Sequence, residues 1–292
     1  MTALLVLLLT SFIFGYRCHS VRVAKAPPPG APHLNRYEHF TNLMRSREIE
    51  AELVHYAADF DQTIQSVLIL RPFGKVPKRL FFFFHGMNGD AGDAVVAGDL
   101  VARLDAMVVA PGGREAAWIS DAFLSDAGQV IRTYSGGFGG FYLIGISMGG
   151  TQALALPGLV APQLSESIRG VVALLPGSDL DRIASESSNE GVRQTLRQSV
   201  NGDRLQLKQR SPREVLSRYP KGLPLTLFYQ LEDEILPPPS LREFIDEARD
   251  LGHPVSVFSD HGNHSFLFSS FDYAKVFEAL GKDFDSSGTP LR

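Results

Sequence analysis

Short apolar runs punctuate the chain at Ser66–Leu70, Leu80–Phe84, Ala106–Ala110, Phe141–Ile146, Val171–Leu175, Leu225–Tyr229 and Val255–Phe258. Most lack the polar alternation of a half-exposed strand, so they predict strands buried on both faces. Between them, apolar positions three and four apart predict helices over Asp93–Leu104, Asp121–Tyr134, Met148–Leu156 and Leu241–Leu251, with a last one at Asp272–Leu280. Such alternation of strand and helix argues for an α/β domain with a mainly parallel sheet flanked by helices. Ser240-Leu241-Arg242-Glu243 reads as a capping box that starts its helix. From about Leu34 to Ala57, Phe40, Leu43, Met44, Ile49 and Leu53 recur at helical spacing and predict one further helix.

The one long interval between strands runs from about Pro176 to Gly222, polar and helix-prone, with Ser211-Pro212 opening a helix. It predicts a small helical excursion before the penultimate strand. Ligands of open α/β sheets bind beyond the carboxyl ends of the strands, so this excursion is the place to look for a partial lid.

The N-terminus changes the picture. Leu4 to Gly15 is an apolar or hydroxyl run, too short for the roughly 20 residues of a spanning helix but suited to an export signal. The expected organisation is a signal over residues 1–20 cleaved after Ser20, a stiff Pro-rich linker over 21–33, and one folded domain over 34–292. The product is then secreted or periplasmic, an uncleaved N-terminal membrane anchor being the alternative. Cys18 is the single cysteine, so the mature chain would have no disulfide, thiolate metal site or cysteine nucleophile. With 28 Lys and Arg against 32 Asp and Glu, the net charge of −4 offers no footprint for nucleic acid.

Gly145-Ile146-Ser147-Met148-Gly149 has the form G-x-S-x-G, directly after an apolar strand and before a helical run. The sharp turn this context demands forces Ser147 into strained backbone at a helix N-terminus, whose amides favour developing negative charge. A serine hydroxyl is a weak nucleophile without a base, and the reading requires an acid and then a histidine further along. Glu232-Asp233-Glu234 follows one late strand and His261-Gly262-Asn263-His264 the last.

Here the chain resembles the α/β-hydrolase superfamily over roughly Ser66 to Leu280. Asp233-Glu234-Ile235-Leu236-Pro237 is similar to that family's acid segment, and Gly262-Asn263-His264 to its histidine segment, with Leu and Asn in place of Val and Gly. The resemblance implies Ser147 as nucleophile, His264 as base and then acid, and Asp233 as the group that orients the imidazole. Glu232, Glu234 and Asp179 remain alternatives for the acid, and His261 for the base. His253 reads as a surface turn residue. His261 and His264 form H-x-x-H without a third ligand type nearby, so no metal and no other cofactor is expected.

Oxyanion donors are expected from the Met148 amide and from Met87, since His85-Gly86-Met87-Asn88-Gly89 resembles an esterase oxyanion loop in which His85 is structural. Closer likeness is to secreted serine esterases, the group of feruloyl esterases and polyester depolymerases, with a prolyl-oligopeptidase-like element at Ser211-Pro212. Trp118 is a candidate wall of the acyl pocket, with plain packing the alternative. The implied activity is hydrolysis of small-molecule or polymeric carboxylic esters; acyl transfer, peptide hydrolysis or a non-catalytic binding role are the alternatives.

Overall fold

The computed structural model describes residues 18–23 and 46–264. The export-signal core, most of the Pro-rich linker, the first half of the helix expected over 34–57 and the helix expected at 272–280 lie outside the described residues. Strands β1 (Cys18–Val23), β2 (Ser46–Ala57), β3 (Ile64–Pro72), β4 (Arg79–Phe84), β5 (Ala106–Pro111), β6 (Phe141–Ile146), β7 (Ile168–Leu174), β8 (Leu225–Gln230) and β9 (Val255–Asp260) form one sheet. Its order is β1-β2-β3-β5-β4-β6-β7-β8-β9. Only β3 runs against its neighbours β2 and β5; all other pairs are parallel.

The second half of the expected N-terminal helix is a strand instead. Ile49 and Leu53 are four apart and fit either period, but Ala51 between them is buried while Glu50 and Glu52 are not fully so. That is period two, and nine antiparallel residue pairs with β3 hold it.

The central strands are buried on both faces, as their unbroken apolar runs predict. In β4, Phe82 and Phe84 join a core with Phe123 and Phe141, whereas Phe81 and Phe83 join Leu100, Val101 and Tyr142 on the other face. Each such ring contributes about 2 kcal/mol by leaving water. The first face is covered by α2 (Asp121–Tyr134), α3 (Met148–Leu159), the excursion and α9 (Pro238–Asp250); the second, among the described residues, by a 3₁₀ turn (Ala91–Ala97) leading into α1 (Gly98–Leu104). A short turn of helix, α4 (Pro162–Ser165), follows α3.

The excursion is helical: α5 (Leu180–Glu186), α6 (Glu190–Ser199), α7 (Arg204–Arg210) and α8 (Pro212–Val215), with Pro212 at the first position of α8. The capping box is not formed. α9 begins earlier, at Pro238, because prolines at the helix start need no amide partner and arrive with helical φ. Ser240 is then inside the first turn, and its hydroxyl donates to Pro237 O at 3.2 Å.

Candidate active site

The loops that leave the carboxyl ends of β4, β6, β8 and β9 carry the residues singled out in the sequence, at the end of a parallel sheet where ligands bind. Ser147 follows β6 and precedes α3 with φ 57° and ψ −116°, a left-handed backbone that typically costs about 1–3 kcal/mol in a non-glycine residue. Three contacts hold it there. Ser147 N–H donates to Leu174 O at 2.7 Å, and Thr151 N–H donates to Ser147 O at 2.9 Å. Gly149 packs so closely on the end of β4 that an added Cβ would lie 2.0 Å from Phe84 O. This close approach also puts the start of α3 beside the His85-Gly86-Met87 loop.

Ser147 Oγ lies 2.8 Å from His264 Nε2, and His264 Nδ1 lies 2.6 Å from Asp233 Oδ2. With the ring proton on Nδ1, that nitrogen donates to Asp233, leaving Nε2 to accept the serine proton. Asp233 is only 4% exposed. Its second oxygen accepts from Ile235 N–H at 2.9 Å and Leu236 N–H at 2.8 Å, so the buried carboxylate is fully engaged. The arrangement can draw a proton from the serine and stabilise the imidazolium that results.

The rival residues have other work. Asp179 caps α5, accepting from Arg182 N–H at 3.0 Å. Glu232 is exposed and bonds His261 Nδ1 at 2.7 Å. Glu234 is exposed, and its amide donates to Asn263 Oδ1 at 3.0 Å. His253 is not a surface residue: it is buried in the turn before β9, edge-on to Tyr219 at 5.8 Å. Among the described residues no three His, Cys, Asp or Glu side chains gather around a metal position.

Met148 is the first residue of α3, where amides have no partner within the helix. Met87 sits in the loop after β4, packed on the core. His85 is buried, with Nδ1 2.7 Å from Gly86 O and Nε2 2.8 Å from Gly112 O, so it ties this loop to the one after β5. Arg114 anchors that second loop through Asp126 and Asp61, each at 2.6 Å. Burial pushes the Asp126 carboxyl above its ordinary range, against the pull of Arg114.

Trp118 is 1% exposed and leaves no ring surface for a ligand in this conformation. Its indole N–H donates to Thr195 Oγ1 on α6 at 2.9 Å, and that hydroxyl lies 3.4 Å from Met87 Sδ. Thr195 thus braces the excursion against the loop after β4. Sequence reading passed it over because a single hydroxyl on an amphipathic helix carries no signal of its distant partners.

No family model and no curated protein matches the chain. Solved structures do match. Pyrococcus horikoshii acylaminoacyl peptidase shares 15% identity at a TM-score of 0.61, over 85% of this chain and 43% of that one. An S-formylglutathione hydrolase of Staphylococcus aureus shares 14% at 0.59, over 80% and 96%. An esterase variant shares 18% at 0.58, over 74% and 75%. This chain spans less than half the length of the peptidase. The likenesses, with the strand order above, show the α/β-hydrolase fold.

Proposed function

We propose that this chain is a serine hydrolase that cleaves carboxylic esters through an acyl-enzyme. The observation that carries the reading is the unbroken hydrogen-bond chain from Ser147 Oγ through His264 to buried Asp233, set on a strained turn at a helix N-terminus. Ser147 Oγ attacks the acyl carbonyl while His264 Nε2 takes its proton, and Asp233 stabilises the imidazolium. Met87 and Met148 amides receive the oxyanion; one such donor is typically worth about 3–4 kcal/mol in the transition state. His264 then protonates the leaving alcohol, and water repeats the sequence to free the acid. Trp118, being buried, serves as packing behind the site.

Esters are favoured over peptides because the neighbours that this chain spans over most of their own length are named as an S-formylglutathione hydrolase and an esterase. The net charge of −4 offers no basic footprint for nucleic acid, and the partner in this reading is a small or polymeric ester. No helix among the described residues is long and apolar enough to cross a membrane. Export belongs to this reading through the apolar run Leu4 to Gly15, and sequencing the N-terminus of the protein recovered outside the expressing cell tests it.

The test of the activity is a fluorophosphonate label mapped by mass spectrometry. Label is expected on Ser147 and absent from Ser147→Ala, with circular dichroism unchanged and turnover of p-nitrophenyl esters abolished. Ester turnover persisting in Ser147→Ala would sink the proposal, and faster cleavage of the matched anilides would turn it toward a peptidase.

A further inference from the structure

The strand that leads to His264 is less buried than the one that leads to Ser147, although Phe258 stacks on Phe228 at 4.7 Å and Val255 and Val257 pack on the core. β9 is the last strand of the sheet among the described residues, and no residue of Val255–Asp260 is fully buried, whereas every residue of β6 before Ser147 is. His264 nevertheless sits at φ 45°, a backbone conformation that persists only when its surroundings enforce it. A set of polar contacts between two loops does the enforcing. Leu231 N–H donates to Asp260 O at 2.9 Å and Glu232 N–H to Gly262 O at 3.2 Å. Glu232 then uses both carboxylate oxygens, accepting from Gly262 N–H at 2.6 Å and bonding His261 Nδ1 at 2.7 Å. Gly262 itself has φ 143°, and a Cβ there would lie 2.7 Å from Gln230 Nε2.

We infer that Glu232 and His261 are positioning residues, tethering the loop that carries His264 to the loop that carries Asp233 and so fixing the Nε2 to Oγ distance. The inference rests on the triad reading above and extends it to residues that touch neither substrate nor reacting atoms. Both side chains are largely solvated, His261 at 83%, so they are not there for packing. They favour each other's charged forms. The Gly262 amide and then His261 hold the Glu232 carboxyl below its ordinary range, and Glu232, with a lesser pull from Asp260, lifts His261 above its own.

The test compares full-chain wild type with Glu232→Ala, Glu232→Gln and His261→Ala, reading kcat and KM on a p-nitrophenyl ester, the rate of fluorophosphonate labelling at Ser147, and Tm. Glu232→Ala is expected to lower kcat about 10- to 100-fold, the scale of a small misplacement of a catalytic group. KM should stay within about twofold, labelling should slow in step with kcat, and Tm should hold. Glu232→Gln keeps an oxygen for the Gly262 amide and should recover most of the rate, with His261→Ala in between. Wild-type kcat in Glu232→Ala, or a loss that Glu232→Gln does not relieve, overturns the tether while leaving the triad standing. Absence of label on wild-type Ser147 overturns the triad and the tether with it.

Discussion

Ser147 and His264 meet at 2.8 Å, yet the turns that present them are built from different materials. The Ser147 turn is backbone against backbone: a fully buried strand, a helix start and glycines pressed onto neighbouring carbonyls. The His264 turn adds side chains to two backbone bonds: beside Leu231 N–H to Asp260 O and Glu232 N–H to Gly262 O, the side chains of Glu232, Asn263 and Asp233 link one loop to the next. Buried backbone geometry tolerates almost no added atom. A solvated polar tether tolerates many, but each change is felt in the chemistry through the position of one ring.

The comparison breaks most visibly at the acid. Asp233→Asn keeps the shape but disfavours the Nδ1–H tautomer, and kcat should fall about ten-thousand-fold with Tm little changed. Asp179→Ala, at the rival position, should cost about 1 kcal/mol of stability as a lost helix cap and leave kcat alone. Equal kcat losses in the two variants would show that the acid had been misassigned.

Gly149→Ala probes the other turn. The added methyl would lie 2.0 Å from Phe84 O and 2.5 Å from His85 O, so backbone must move to admit it, and the variant should lose about 3 kcal/mol in urea unfolding. A stable, active Gly149→Ala would mean the turn is far softer than its contacts indicate.

The smallest effect is on acid stability at the His264 side. His253, in the turn before β9, is buried with no hydrogen-bond partner on Nδ1 among the described residues, and burial lowers its pKa from the ordinary 6.5. A group with a depressed folded pKa binds its proton more readily when unfolded, so its share of stability is complete above 6.5 and is lost as pH falls from there toward the folded value. Urea midpoints measured from pH 7.5 to 5 should therefore decline more steeply in wild type than in His253→Gln. Parallel declines would assign the acid sensitivity elsewhere.

Several features were readable in advance because they are local. Phe141–Ile146 and Asp121–Tyr134 are found with the bounds their patterns predict, since an unbroken apolar run and a 3.6-residue period each point to one structure. Ser147 was legible for the same reason: a strand, a small-residue turn and a helix are contiguous in the chain. The Ser46–Ala57 strand was misread because Ile49 and Leu53 satisfy two periods, and only pairing with β3 chooses between them. The α9 start was misread because three successive prolines compete with a good capping sequence.

What the sequence determined by itself is therefore whatever depends on neighbours along the chain: the alternation of strands and helices, the parallel α/β class, and the strand-turn-helix that presents Ser147. The tertiary structure alone decided which carboxylate meets His264, which histidine meets Ser147, that Trp118 is sealed inside, and that Thr195 and Glu232 brace the loops around the site. Those choices rest on hydrogen bonds spanning 29 to 117 residues. No local pattern encodes such partners, because three adjacent acidic residues are alike until folding buries one and leaves the others in water.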